Sequence, residues 1–254
     1  MSKNFELMQQ AEVKLDLPAT PESKSSAPFS RENGNGHAKN GHVNLSDIER
    51  EESLKLVQKV FLLKGKETPR AVIFAGIDSG SGCSGLCAHA AEVLASQNVG
   101  TVCLVDANLR APSLPEFFGV GNHHGLSDAL RSKDSIRNFA KPVRRDNLFL
   151  LSCGSRASES AALLNSETMK TRMAELRSEF QYVLIDSPPL STYADAFAVG
   201  QLADGLVLVL EANSTRREAA VRIAESLRAA QIQILGAVLN KRTFPIPEPL
   251  YSLL

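Results

Sequence analysis

The stretch Ala71 to Gln97 reads AVIFAGIDSGSGCSGLCAHAAEVLASQ, and its three parts differ in character. Ala71-Val-Ile-Phe-Ala75 has the length and β-branched content of a strand, a run of Gly, Ser and Asp follows, and Leu86, Ala90, Val93 and Leu94 then recur at helical spacing. The order is strand, glycine-rich loop, helix. In such a unit glycines let successive backbone N–H groups turn inward, and the helix beyond them carries a partially positive N-terminus. A phosphate group suits that arrangement.

The fullest form of such a loop is the Walker A pattern G-x-x-x-x-G-K-[ST], in which the lysine reaches the β/γ-phosphates and the hydroxyl binds Mg²⁺. Gly80, Gly82 and Ser84 fall in place here, but Ile77 stands at the first glycine position and Cys83 at the lysine position. Cysteine is too short to reach a β/γ-phosphate and, being largely neutral, brings no compensating charge. Losing one such electrostatic contact costs about two to three orders of magnitude in rate. Backbone N–H groups and a metal ion would still hold nucleotide, so catalysis suffers more than binding.

With 254 residues, 43% of them hydrophobic, the chain is long enough for one domain of about 200 residues with an appendage. The formal net charge is zero, which gives no whole-chain electrostatic case for nucleic acid or an anionic membrane. The short basic run at Lys141, Arg144 and Arg145 is read as a solvated loop. No apolar stretch approaches the ~20 residues that cross a bilayer, and the first residues, MSKNFELMQQAEVKLD, lack the apolar core of a signal peptide. A soluble cytoplasmic protein is expected. Cys83, Cys87, Cys103 and Cys153 form no disulfide framework. Cys83 and Cys87 make a C-x-x-x-C at one helix start, where two thiols on one face could have a lowered thiolate pKa, but no further metal ligands accompany them.

Residues 1–44 are rich in Ser, Asn, Gly, Lys, Glu and Pro and are expected to form a disordered leader. A domain is expected over 45–243 and a short proline-broken tail over 244–254. Ser46-Asp-Ile-Glu49 is a capping box, and the spacing predicts a helix over 46–64. After the opening unit, Thr101 to Val105 is an apolar strand running into Asp106, and a short helix is expected at Gly125 to Leu130 and a strand at Asn147 to Ser152. Ser166 to Phe180 reads as an amphipathic helix leading into a strand, Tyr182-Val-Leu-Ile, that ends on Asp186. Helix Ala194 to Leu202, strand Gly205 to Leu210, helix Thr215 to Ala230 and strand Ile232 to Leu239 complete the domain. The alternation predicts an α/β fold with a mainly parallel sheet and helices on both faces.

In a parallel sheet the carboxyl ends share one edge, so Gly80 to Ser84, Asp106 with Asn108, and Asp186 converge there. A nucleoside triphosphate with Mg²⁺ needs a backbone cradle, a hydroxyl ligand and one or two carboxylates, and the chain offers each. Together with VDANLRAPSLPEFFGVGNHHGLSDAL (105–130), SCGSRASESAALLNSE (152–167), YVLIDSPPL (182–190), ADGLVLVLEANST (203–215) and ILGAVLNK (234–241), these loops resemble the bacterial tyrosine kinase family of capsular and exopolysaccharide export, related to the MinD/ParA ATPases.

That resemblance implies a MinD-like P-loop NTPase fold, and it implies ATP and Mg²⁺ as cofactors. Asp106 and Asp186 correspond to the catalytic acids, and Ser84, Asp106 and Asp186 to the metal-binding set. Ser79, Gly80, Ser81, Gly82, Cys83, Ser84, Gly85, Arg110 and Asn240 correspond to the nucleotide-contacting positions, Asn240 near the adenine. Implied partners are a transmembrane polysaccharide co-polymerase on a separate chain and further copies in a homo-oligomer, with no nucleic acid, at the inner membrane through that partner. The chain departs from the family at Cys83, at Asn108 where a second acid stands in D-x-D, at Glu52, Lys55 and Gln58 where E-x-x-R-x-x-R stands, and in its tail, which has only Tyr251. Three functions follow: a degenerate kinase acting by protein contact, an active protein-tyrosine autokinase, or a ParA/MinD-like positioning ATPase. Mg²⁺-dependent phosphate transfer that vanishes in Asp106→Ala separates the second from the first.

Overall fold

The computed structural model describes residues 4–8, 45–62, 68–155 and 160–242, of which 4–8, 45–50 and 160 are described by their backbone alone. Strand β1 is Asn4–Met8, and β2 (Ala71–Gly76), β3 (Val102–Asp106), β4 (Ala140–Val143), β5 (Arg145–Leu151), β6 (Tyr182–Ser187), β7 (Gly205–Glu211) and β8 (Ile234–Arg242) follow. Helix α1 spans Leu45–Val57, and α2 (Cys83–Ser96), α3 (Leu114–Phe118), α4 (Leu126–Ala129), α5 (Ser160–Leu164), α6 (Glu167–Glu179), α7 (Asp195–Gly200) and α8 (Arg217–Ala229) come after it.

One sheet runs β1-β8-β7-β2-β6-β3-β5-β4. Its six inner strands pair in parallel, and β1 and β4 close the edges antiparallel. Every residue of β2, β3 and β6 is buried, as expected of continuous apolar strands covered on both faces. On one face Val72, Phe74, Leu104 and Leu184 pack with Leu56, Phe61, Leu86 and Leu94 of the first two helical segments. On the other, Ile73, Ala75, Val105 and Ile185 pack with Met173, Leu176, Val199 and Leu227.

Three local departures from the sequence reading have physical causes. The basic run expected as a loop is a hairpin: Ala140–Val143 pairs antiparallel with Arg145–Leu151, and Arg144 takes the left-handed turn conformation at φ 52°. Pro142, which lacks an N–H to donate, is tolerated because β4 is an edge strand. Arg144 is also committed to neighbours, paired with Glu92 and lying 5.1 Å from the rings of both Phe117 and Phe118. The predicted helix over 46–64 starts at Leu45 and changes to a π turn at Gln58–Leu62, which keeps Val60 and Phe61 buried and sets Phe61 edge-on to Tyr182 at 5.8 Å. Within the leader expected to be disordered, Asn4–Met8 instead pairs antiparallel with the free edge of β8, Leu7 opposite Val238. The rest of the leader and the tail lie outside the described residues.

Candidate functional site: a phosphate-binding cleft without its lysine

The loop between β2 and α2 owes its shape to two left-handed glycines, Gly80 at φ 83° and Gly82 at φ 77°. Gly82 is also the residue before the first turn of α2, so it turns the chain into the helix. Beneath it lies Asn240, 2% exposed at the end of β8. Its Nδ2 donates to the Ser81 carbonyl at 2.8 Å, and its Oδ1 accepts from the Lys241 N–H at 2.8 Å. A Cβ on Gly82 would be driven into that amide. The expected adenine-side residue therefore braces the loop from below.

A cleft of about 500 Å³ opens above the loop. Ser79, Gly80, Ser81, Gly82, Cys83, Ser84 and Gly85 form one wall, Asn108, Arg110, Ala111 and Ser113 a second, and Ser187, Pro189 and Tyr193 a third. The structure thus brings together the loop, the segment after β3 and the segment after β6, as the parallel order of the strands requires.

Asp106 and Asp186 are register partners across the β3–β6 pairing, close in sequence to the lining residues Asn108 and Ser187, and both are fully buried. Asp106 is held from its own side: Oδ1 accepts from the Asn108 N–H at 3.2 Å and Oδ2 from the Leu114 N–H at 3.3 Å. Burial, then the negative Asp186 beside it, push its carboxyl well above the usual range, against the pull of the Leu114, Asn108 and Ser113 N–H groups. Asp186 differs. Neither of its oxygens has a hydrogen-bond partner among the described residues. Burial pushes its carboxyl up to about 7, and the nearby Ser84 hydroxyl and Cys83 thiol draw it down without satisfying it.

Cys83 occupies the first position of α2, 9% exposed. Burial first and the Asp186 charge second push its thiol far up, so it stays protonated and neutral. Cys87, one turn on, is shifted the same way. The C-x-x-x-C pair therefore lies on one buried face and is the reverse of an activated thiolate.

These features fit a nucleotide and a divalent cation. Glycine-shaped backbone forms a cradle, Ser84 stands at the helix start, and two buried carboxylates converge, one with orphaned oxygens that a cation would satisfy. Among the described residues no three His, Cys, Asp or Glu side chains gather as a self-sufficient metal site. Mg²⁺ does not need one, since it commonly keeps waters and takes one or two carboxylates with phosphate oxygens.

Two residues here went unread in the sequence. Asp195, 3% exposed at the start of α7, accepts from Arg110 Nε at 3.0 Å, and the Arg110 guanidinium lies 4.2 Å from the ring centre of Tyr193. The available signal was their place after Asp186, in a segment bound to return along the same sheet edge.

The protein-family model described as "ParA: NUBPL iron-transfer P-loop NTPase" matches residues 70–249. The tyrosine-protein kinase YwqD of Bacillus subtilis is 33% identical over 171 residues, which cover 67% of this chain and 72% of YwqD. The chain belongs to the bacterial tyrosine-kinase branch of the ParA-family P-loop NTPases. Its MinD-like α/β fold is shared with the kinase domain of Escherichia coli tyrosine kinase ETK, with a TM-score of 0.72 at 23% identity, covering 78% of each chain. The succinoglycan biosynthesis transport protein ExoP of Rhizobium meliloti is 30% identical over 183 residues, 71% of this chain but 23% of ExoP. The expected kinase-type P-loop fold is therefore borne out for this family member, and nucleotide with a divalent metal is what the family implies.

Proposed function

We propose that this chain is a degenerate member of the bacterial tyrosine kinases, one that holds Mg²⁺-nucleotide weakly, transfers phosphate slowly or not at all, and acts in exopolysaccharide or capsule biosynthesis through protein contact. The observation that carries the reading is Cys83. A neutral, buried thiol stands where the phosphate-binding loop needs a cation, while the cradle, Ser84, Asp106 and Asp186 around it are retained. Ser84, Asp106 and Asp186 would hold the metal, and backbone from Ser79 to Gly85 would hold the phosphates. Bound Mg²⁺ would neutralise charge on the terminal phosphates. Asp106, fixed by its two backbone hydrogen bonds, would then be the acid that orients the metal shell and receives a proton from an acceptor hydroxyl.

Contact with a transmembrane polysaccharide co-polymerase on a separate chain, and with further copies of itself, would place the protein at the inner face of the membrane. Two facts support this. ExoP is by name a biosynthesis transport protein and is about four times longer than the shared stretch. Among the described residues, no helix is long and apolar enough to cross a membrane.

The test is calorimetric titration of the full chain with ATP, with and without Mg²⁺, beside Cys83→Lys, followed by an autophosphorylation assay. Weak binding that Cys83→Lys strengthens, with phosphate transfer confined to that variant, is expected. Transfer by the unmodified chain that disappears in Asp106→Ala would overturn the degenerate reading in favour of an active autokinase, which the register pairing of Asp106 with Asp186 supports.

A further inference from the structure

A cleft that lacks its loop lysine still presents a cation. Of the described side chains that line it, Arg110 alone is basic. It stands on the wall formed after β3, while Cys83 belongs to the loop wall, and its side chain keeps 33% of its exposure. Two residues from the segment after β6 fix its direction. Nε and Nη2 donate to the two Asp195 oxygens at 3.0 and 3.4 Å, and the guanidinium carbon lies over the Tyr193 ring. The remaining nitrogen, Nη1, makes no hydrogen bond among the described residues. A guanidinium clamped by a carboxylate and a ring has already lost much of its rotamer freedom, so it can offer its free edge to an anion at small entropic cost.

The walls divide the work by position. Backbone N–H groups of the loop suit phosphates lying against it, and a cation on a second wall suits a phosphate that extends beyond the loop. We propose that Arg110, held by Asp195 and Tyr193, supplies the terminal-phosphate contact that Cys83 cannot, and that this contact is what separates a nucleoside triphosphate from a diphosphate in this chain. The inference rests on the nucleotide reading above and names the residue that sets its selectivity. Asp195 and Tyr193 are positioning residues.

The experiment is calorimetry of the full-length protein with Mg²⁺-ATP and Mg²⁺-ADP, for the unmodified chain, Arg110→Ala, Arg110→Lys, Tyr193→Leu and Cys83→Lys. In Arg110→Ala, ATP affinity should fall about ten- to a hundredfold, the worth of one charged hydrogen-bond partner, while ADP affinity holds. Arg110→Lys should keep part of the preference, since it keeps charge without the fork, and Tyr193→Leu should lose part of it while the ion pair stays. The ratio of the two affinities is the readout, because a merely structural arginine would lower both together. An unchanged ratio in Arg110→Ala and Tyr193→Leu overturns the assignment while leaving the cleft a nucleotide site. Binding by Cys83→Lys but not by the unmodified chain overturns it too, since Arg110 then fails to compensate. No binding by either removes both this inference and the nucleotide reading.

Discussion

The side-chain amide of Asn240 donates to the backbone carbonyl of Ser81 at 2.8 Å, joining the end of β8 to the phosphate loop across 159 residues of sequence. Truncation in Asn240→Ala leaves a buried carbonyl unpaired. A loss of about 1–3 kcal/mol in denaturant unfolding is expected. Gly82→Ala should cost at least as much, since a Cβ would be forced into the same amide on a residue at φ 77°. Wild-type stability in Asn240→Ala would mean that the brace is idle.

Asp186 gives the protein a pH-dependent weakness. Its folded-state carboxyl is pushed to about 7 from an ordinary 3.8, so its contribution to stability is fully present below about 3.8 and is lost as the pH rises through about 7. Asp186→Asn, which cannot ionise, should therefore gain stability relative to the unmodified protein as the pH is raised from 4 to 8 without metal. Guanidinium titrations at the two ends of that range read the difference. A gap that stays constant with pH would show that Asp186 ionises freely in the folded state.

The thiols should be silent. Cys83, Cys87, Cys103 and Cys153 are all buried, and burial pushes the Cys103 thiol up to about 12 and those of Cys83 and Cys87 well above the ordinary value. A disulfide reagent at pH 8 should titrate almost none of the four in folded protein and all four in denaturant. A fast-reacting thiol in the folded state would contradict the assignment of Cys83 as a neutral group.

Gly125 is a purely steric requirement. Its backbone is extended, at φ −167°, so any residue could adopt it, but a Cβ would collide with the backbone of Ser152 and Gly154 at the end of β5. Backbone cannot swing aside as a side chain can. Gly125→Ala should destabilise by more than about 2 kcal/mol, measured as a shift in the denaturation midpoint. The local arrangement at stake is the pairing of Leu126 and Ser127 N–H groups with the Ser152 and Cys153 carbonyls.

Much of the fold was legible because its signals are local. Apolar runs such as Val102 to Val105 and Val183 to Ile185 mark strands buried on both faces, and the loop between Phe74 and Leu86 announces a strand turning into a helix. Once the sheet is parallel, topology alone carries Ser84, Asp106 and Asp186 to one edge. Other features depended on packing. The edge hairpin of β4 hides in a basic, proline-containing run, since an edge strand needs little apolar content.

Composition and spacing sufficed for the α/β class, the phosphate loop, its missing lysine and the two strand-end acids, because each is written in consecutive residues. Only the folded chain decided that Asn240 supports the loop from beneath, that Asp186 has no hydrogen-bond partner among the described residues, and that Arg110 is held by Asp195 from 85 residues away. Burial and hydrogen bonding between distant segments arise when helices and strands pack, and no periodicity in the sequence records which side chains then meet.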